Sequence, residues 1–92
     1  MAVYVDNYGA SFGRMVMCHM MADSRKELLA MVDRIGVQRK WIQKAGTYWE
    51  HFDICMSKRT KAVEAGAIEL SPVDLVRRML RKRDSPTVRL VN

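Results

Sequence analysis

The chain has 92 residues, of which 49% are hydrophobic and 28% are charged, and its formal net charge is +6. This length and composition indicate one small globular domain with a single core, and they exclude a disordered chain. No secretory leader is recognisable, and no apolar run approaches the roughly 20 residues that cross a bilayer. We therefore expect residues 1–92 to form one soluble, cytoplasmic domain, and the basic charge favours an anionic partner.

Two β-strands are predicted near the amino terminus. Residues 2–5 are mostly β-branched or aromatic and run into the polar segment 6–9, which is typical of a strand that ends in a turn. Residues 7–13 are therefore expected to form a loop. The nearly continuous apolar run 15–21 then predicts a strand that is buried on both faces, with His19 as its one polar member.

A helix is predicted after the second strand, and both of its ends are marked. Ser24 and Glu27 form a capping box, in which side chains satisfy backbone N–H groups that the first helical turn leaves unpaired. Gly36 supplies the residue type that most readily ends a helix in the left-handed conformation. The apolar residues between these signals fall on one helical face: Leu28, Met31, Val32 and Ile35.

The second half of the chain predicts a further helix that leads directly into a strand. Ser57 is expected to cap a helix over residues 58–65, which ends at Gly66, and residues 67–70 are expected to form the strand. This short connection is what a parallel crossover requires, because it returns the chain quickly to the sheet.

The last predicted helix begins at Ser71, with Pro72 in its first turn, and ends before residues 85–92, which form a tail or an edge strand. Its expected buried stripe consists of Leu75, Val76, Met79 and Leu80. The alternation of strands and helices predicts an α/β fold. We expect a small single-layer sheet of about four strands, partly parallel, with about three helices packed on it.

The only two cysteines, Cys18 and Cys55, are each surrounded by methionine and aliphatic residues. Disulfides are rare in chains that stay in a reducing cytoplasm. We therefore expect two buried thiols rather than a disulfide.

A series of short motifs follows a specific order along residues 1–70. The motifs are MAVYVD at 1–6, GRMVMCHM at 13–20 with AD at 22–23, DRIG at 33–36, WIQ at 41–43, HFDI at 51–54, SKR at 57–59 leading to AV at 62–63, and GAIE at 66–69. In this order they resemble the bacterial and phage family known as domain of unknown function 4031. The resemblance implies a bacterial cytoplasm, or a host cytoplasm if a phage encodes the protein, and it implies no particular activity. Residues 71–92 match this family less clearly, so we expect the basic last helix to be particular to this member.

The first candidate site is the start of the helix at Ser57, Lys58 and Arg59. A helix amino terminus offers free N–H groups and a partial positive charge, so phosphate binds there readily. The hydroxyl and the two cations add further groups that bind oxygen ligands. This segment is predicted to bind an anion, and the alternative is a solvated helix start with two surface cations.

The second candidate site consists of Asp6, His19, His51 and Asp53, which lie in or beside the predicted strands. If these strand ends are adjacent, two carboxylates and two imidazoles converge at one edge of the sheet. Such a cluster binds a divalent metal or performs acid–base catalysis. The alternatives are a hydrogen-bonded core histidine at His19 and a pair at His51 and Asp53 that holds a loop.

The third candidate site is the basic segment of the last helix. Five cations of this segment are predicted to contact nucleic acid: Arg77, Arg78, Arg81, Lys82 and Arg83. We expect Arg78, Arg81 and Lys82 on the exposed side, where such a ridge fits a phosphate backbone. Trp41 and Trp49, beside Lys40 and Lys44, would add stacking surfaces. The alternative is a solvated helix face with two core tryptophans.

Three hypotheses about function follow. The leading one is a small module that binds nucleic acid or another phosphate-bearing ligand. The second is a small metal-assisted hydrolase or nuclease, and the third is a phage or bacterial factor that regulates or inhibits a protein partner. No glycine-rich phosphate loop, Cys-x-x-Cys pair or other motif requires a cofactor, although a divalent metal is compatible with the Asp/His cluster. We expect no membrane contact, and a homodimer would add buried area to so small a core.

Overall fold

The computed structural model describes residues 2–12 and 15–84. The predicted tail or edge strand at 85–92 lies outside these residues. Within the described part, five strands, three α-helices and one short 3-10 helix alternate along the chain. They are β1 (Val3–Val5), β2 (Ala10–Phe12), β3 (Met15–Ala22), α1 (Arg25–Ile35), the 3-10 helix (Arg39–Trp41), β4 (Phe52–Cys55), α2 (Met56–Glu64), β5 (Ile68–Glu69) and α3 (Pro72–Arg83).

The long strand β3 organises the sheet. It pairs antiparallel with β1 and β2 along one edge and with β4 along the other, since Met17 and Met20 each have a partner on both sides. β5 pairs parallel with the outer edge of β1. Because β1 and β2 both lie along the same edge of β3, the sheet is four strands wide. The predicted α/β fold, with a partly parallel sheet of about four strands and three helices, is confirmed.

The crossover predicted in the second half of the chain is also present. β4 and β1 both run antiparallel to β3, and β5 runs parallel to β1, so β4 and β5 run in the same direction. Helix α2 connects them and passes over the two strands that lie between. The chain segment that begins at β4 therefore returns to the far edge of the sheet through a single helix.

The two faces of the sheet are covered differently. Alternate residues of a strand point to opposite faces, and one face carries Val5, Cys18, Met20, Phe52 and Ile54, which are buried against α1 and α2. The other face carries Tyr4 and Met21, which pack against α3. The first cluster contains most of the buried apolar side chains, each of which stabilises the fold by about 1.5–3 kcal/mol when fully buried.

Two predictions about the first strands are wrong. Residues 7–13 do not form only a loop, because Ala10–Phe12 pair with β3 as β2. The strand β3 is buried on both faces only in its second half, and Met15 and Val16 are 48% and 43% exposed. An apolar strand is covered on both faces only where helices pack on both sides, and the buried clusters on the two faces begin at Cys18 and Met21.

Two of the three predicted serine caps are confirmed. The Oγ atom of Ser24 accepts the backbone N–H of Glu27 at 3.2 Å, and Ser71 caps α3 in the same way. The prediction for Ser57 is wrong, because α2 begins at Met56 and Cys55 is its cap residue. β4 passes directly into α2 without intervening turn residues, which places Ser57 inside the first helical turn.

These caps predict a clear order of stabilities. We expect Ser24→Ala and Ser71→Ala each to lower the free energy of unfolding by about 1 kcal/mol, because each leaves a helix N–H group without its acceptor. Ser57→Ala is the matched control and should change it by less than about 0.5 kcal/mol. Urea denaturation measures all three, and an equal loss for Ser57→Ala would contradict the assignment of the cap.

The two cysteines are free thiols, as predicted, but only Cys18 is buried. Burial, together with the nearby Asp6 carboxylate, raises the pKa of the Cys18 thiol to about 11. Cys55 is half-buried, and hydrogen bonds from the Ser57 hydroxyl and the Lys58 backbone N–H lower the pKa of its thiol. A thiol at the start of a helix is stabilised as thiolate by such donors.

The two thiols should therefore differ in reactivity. In the native protein at pH 8, iodoacetamide should alkylate Cys55, because its lowered pKa increases the thiolate fraction. Cys18 should react only after unfolding, since at this pH its thiol is protonated as well as buried. Mass spectrometry of the alkylated peptides locates the label, and Cys55→Ser should abolish labelling of the native protein. Labelling of native Cys18 would contradict the burial of that strand.

Candidate metal centre

The four residues of the second candidate site lie together on the sheet face that carries α3. Asp6 directly follows β1, His19 lies in β3 and Asp53 lies in β4, where it is the strand partner of His19. The backbone N–H of Asp6 donates to the His19 carbonyl at 3.1 Å, so the three residues form a row across neighbouring strands. His51 precedes β4 and, by strand alternation, shares the face of Asp53.

Asp6 holds the His19 ring. The Asp6 carboxylate is 1% exposed, and its Oδ2 atom lies 2.8 Å from His19 Nδ1. Its Oδ1 atom accepts the backbone N–H groups of His19 at 2.8 Å and Tyr8 at 3.3 Å. Because a carboxylate is the acceptor, Nδ1 carries the proton and the neutral His19 ring presents its lone pair at Nε2.

His51 is oriented by a backbone carbonyl. Its Nδ1 atom donates to the Trp49 carbonyl at 2.7 Å, which again leaves the lone pair of the neutral ring at Nε2. The preceding residue, Glu50, is buried and accepts hydrogen bonds from Arg25 at 3.0 Å and from the Gly46 N–H at 3.1 Å. The loop that leads to His51 is thus anchored to α1.

Asp53 completes the cluster. Its Oδ2 atom accepts a hydrogen bond from Gln43 Nε2 at 2.7 Å. Its Oδ1 atom lies 3.7 Å from Nε2 of His19 and 3.7 Å from Nε2 of His51. One oxygen is therefore held by the protein while the other faces both imidazoles.

The three inward atoms have the arrangement of metal ligands. His19, His51 and Asp53 each offer one ligand atom, and these atoms lie within 4.8 Å of one another. With metal–ligand bonds of about 2.1 Å, two ligands of a tetrahedral ion stand about 3.4 Å apart, so small side-chain movements would bring all three into a coordination shell. The His19 and Asp53 side chains are 35% and 36% exposed, which leaves the cluster open to solvent. We call His19, His51 and Asp53 the triad.

Comparison with known proteins identifies the family of this chain. A family model described as "Protein of unknown function (DUF4031)" matches residues 3–82. The chain belongs to this family. No curated protein and no solved structure matches it significantly. The match confirms the resemblance seen in the sequence and extends through most of α3, so the expectation that the last helix is particular to this member is wrong.

At the predicted anion site at the start of α2, Arg59 has internal partners and Lys58 lies beside the end of α1. Arg59 is 14% exposed, and it donates to the Asp6 carbonyl at 2.8 Å and to Glu69 at 3.0 Å. Lys58 lies against Gly36, the residue that ends α1. Its Nζ atom is 3.2 Å from where a Cβ atom would stand if Gly36 had a side chain. Arg59 therefore supports Asp6, and anion binding by Ser57, Lys58 and Arg59 stays a prediction.

The basic helix α3 is rotated relative to its predicted orientation. Leu75 and Met79 are buried as expected, whereas Val76 and Leu80 are 49% and 37% exposed. Arg78 is not on the exposed side, because its guanidinium lies 4.7 Å from the centre of the Tyr4 ring. Lys82 is also half-buried, and this burial lowers the pKa of its ammonium. Long cationic side chains cover apolar surface with their stems, which explains why the stripe includes them.

The remaining cations of the third candidate site are exposed. Arg77 pairs with Asp74 and Arg83 pairs with Asp84, each at 3.3 Å, and Arg81 is also exposed.

None of the helices in the described residues is long and apolar enough to cross a membrane.

Several residues around the triad were not predicted from the sequence. Gln43, which orients Asp53, was missed because it reaches the site through a single β-bridge with His51. Tyr8 and Trp49 were not assigned to the triad, yet their ring centroids lie 5.2 Å from that of His19 and 5.9 Å from that of His51. Trp41 and Trp49 are 62% and 45% exposed, so the alternative of core tryptophans is wrong.

Asp6 and Asp53 should differ sharply in their effects on stability without metal. Asp6→Ala should lower the free energy of unfolding by about 2–4 kcal/mol, because it leaves buried donors of His19 without an acceptor. Asp53→Ala, at a one-third exposed position, should lower it by less than about 1 kcal/mol. Urea denaturation in EDTA measures both, and equal effects would contradict the separation of a structural and a ligand carboxylate.

Proposed function

We propose that this protein is a divalent-metal-dependent hydrolase. Nε2 of His19, Nε2 of His51 and Oδ1 of Asp53 are the proposed ligands. The convergence of these three atoms within 4.8 Å carries the proposal, since the other nitrogen of each ring is already bonded to an oxygen acceptor. This hydrogen-bonding pattern is typical of metal-binding histidines, whose second nitrogen donates to a carboxylate or carbonyl.

The ligand set favours zinc or another divalent transition metal. Imidazole nitrogen suits these ions, whereas magnesium and calcium prefer oxygen ligands. Structural zinc sites use four protein ligands, while catalytic sites use three and keep a position for water or substrate. Two histidines and one carboxylate, partly open to solvent, correspond to the catalytic arrangement. A divalent metal held by these three residues would supply hydroxide near neutral pH, because it would make water more acidic.

The surrounding residues have positioning roles in this proposal. Asp6 fixes the orientation of the His19 ring, and Arg59 in turn holds the Asp6 backbone through its carbonyl. Gln43 leaves only one Asp53 oxygen directed toward the imidazoles. Removal of such supporting groups typically weakens metal binding by about 10- to 100-fold.

Nucleic-acid binding through α3 remains a separate prediction. Arg77, Arg81 and Arg83 support it because they are exposed, while the half-burial of Arg78 and Lys82 reduces the number of available cations. Docking to a protein partner and the formation of a homodimer also remain predictions.

Metal binding is the first test of the proposed function. Titration calorimetry of the metal-free protein with Zn²⁺ should give one site per chain, and Co²⁺ should give the visible absorption of a low-coordinate ion. His51→Ala and Asp53→Ala should abolish the site, and Gln43→Ala should weaken it by about 10- to 100-fold. Glu64→Gln, an exposed carboxylate on α2, is the control and should bind as the wild type does.

Hydrolysis is the second test. With a chromogenic phosphodiester such as bis(4-nitrophenyl) phosphate, the oxygen of water would form a bond to phosphorus while one ester P–O bond breaks. The water proton is released to solvent, and nitrophenolate leaves. Activity should depend on added Zn²⁺, Mn²⁺ or Co²⁺ and should disappear in EDTA and in His51→Ala. Metal binding without hydrolysis of a phosphate ester, a carboxylic ester or an amide would overturn the proposed hydrolase activity. Absence of metal binding would overturn the proposed metal centre itself.

A further inference from the structure

Four aromatic rings form a row across the triad. The ring centroids of Tyr8 and His19 are 5.2 Å apart, those of His19 and His51 are 5.5 Å apart, and those of His51 and Trp49 are 5.9 Å apart. The two histidines occupy the middle of this row, and the tyrosine and the tryptophan occupy its ends. An aromatic side chain therefore stands on either side of the proposed metal position.

The two outer rings are accessible to a ligand. Tyr8 is 58% exposed and Trp49 is 45% exposed. Exposure of aromatic rings to water costs free energy, and a planar ligand that stacks on them removes this exposure. The polar edge of such a ring can keep its hydrogen bonds while the face is covered, so exposed rings are suitable stacking surfaces. The row thus offers two flat contacts separated by the histidines.

Positive charge accompanies one of these platforms. The Lys44 Nζ atom lies 5.2 Å from the centre of the Trp49 ring. Lys44 also has a φ of 55°, and it is the one non-glycine residue with positive φ among the described residues. Such a backbone conformation is disfavoured for most side chains and recurs at ligand-binding sites. With a formal net charge of +6, the chain as a whole also attracts a polyanion.

We propose that the substrate at the triad is single-stranded nucleic acid. Two bases of the strand stack on Tyr8 and Trp49, and a phosphodiester of the segment between them faces the triad. Lys44 moves from the tryptophan ring to a strand phosphate when a base takes its place. Aromatic stacking combined with cations is how proteins bind single strands without reading sequence. This inference rests on the proposed function for the site of cleavage, but binding of the strand itself does not require the metal.

Tryptophan fluorescence tests the location of the strand. The variant Trp41→Phe leaves Trp49 as the only tryptophan, and Trp49→Phe leaves Trp41. In EDTA, titration with an eight-residue oligothymidylate should quench the emission of the first variant and leave that of the second nearly unchanged. Equal quenching of both variants, or quenching of Trp41 alone, would overturn the proposal.

Affinity measurements test the role of the bases. By fluorescence anisotropy with the labelled oligonucleotide, Trp49→Ala should weaken binding by about 5- to 100-fold, as expected for the loss of one stacked base. Trp41→Ala is the matched control, because Trp41 is also exposed and also has a lysine nearby, but in the described part of the chain its ring does not stack on a histidine as that of Trp49 does. It should change the affinity by less than about 2-fold. An equal loss in both variants would overturn the proposal.

An abasic strand separates stacking from charge attraction. An abasic oligonucleotide of the same length keeps the phosphates, so it should bind at least about 5-fold more weakly than oligothymidylate. Lys44→Gln should reduce the slope of log K against log salt by about 0.7, the value for one phosphate contact on a single strand. Equal binding of the abasic strand would overturn the substrate class. Because these measurements are made in EDTA, they fail or succeed independently of the metal titration.

Discussion

The hydrogen bonding of the buried Asp6 carboxylate is the interaction on which the rest of the site depends. A carboxylate that is 1% exposed is stable only when hydrogen bonds replace its lost hydration. Here the backbone N–H groups of His19 and Tyr8 and the His19 ring provide them. The same contacts join the end of β1 to the middle of β3 and set the direction of the His19 lone pair. Folding of this part of the sheet and orientation of a proposed ligand are therefore one event.

The two faces of the sheet differ in how much apolar surface they bury, and this difference explains how so small a domain keeps a solvent-accessible site. α1 and α2 bury most of the apolar side chains on one face, which supplies the greater part of the hydrophobic stabilisation. On the other face α3 packs only against Tyr4, Met21 and their neighbours. The triad lies on this second face with His19 and Asp53 one-third exposed. Because the triad is partly hydrated, its polar groups are not fully desolvated, and little additional apolar burial is needed to offset their desolvation.

Local signals in the sequence were reliable where one segment decides the structure by itself. The capping box at Ser24 and Glu27 and the stop at Gly36 depend on residues within a few positions of each other, and α1 has the predicted ends. The prediction for Ser57 was wrong because a serine caps a helix only when its own backbone lies just outside the first helical turn. The strand β4 extends to Cys55 and α2 begins at Met56, so Ser57 already lies inside the helix. The orientation of α3 was partly mispredicted because arginine and lysine stems take part in burial, which a division into apolar and polar residues ignores.

The sequence by itself determined the α/β class, the crossover, the helix ends other than the start of α2, and the set of polar residues that occupy strand positions. It also suggested Asp6, His19, His51 and Asp53 as one group, on the condition that their strands are neighbours. Only the tertiary structure decided that condition, because pairing register across β1, β3 and β4 is a long-range property. A shift of one residue in either register would send a histidine to the opposite face. The roles of Gln43, Arg59 and Trp49 likewise depend on contacts between segments that are distant in sequence.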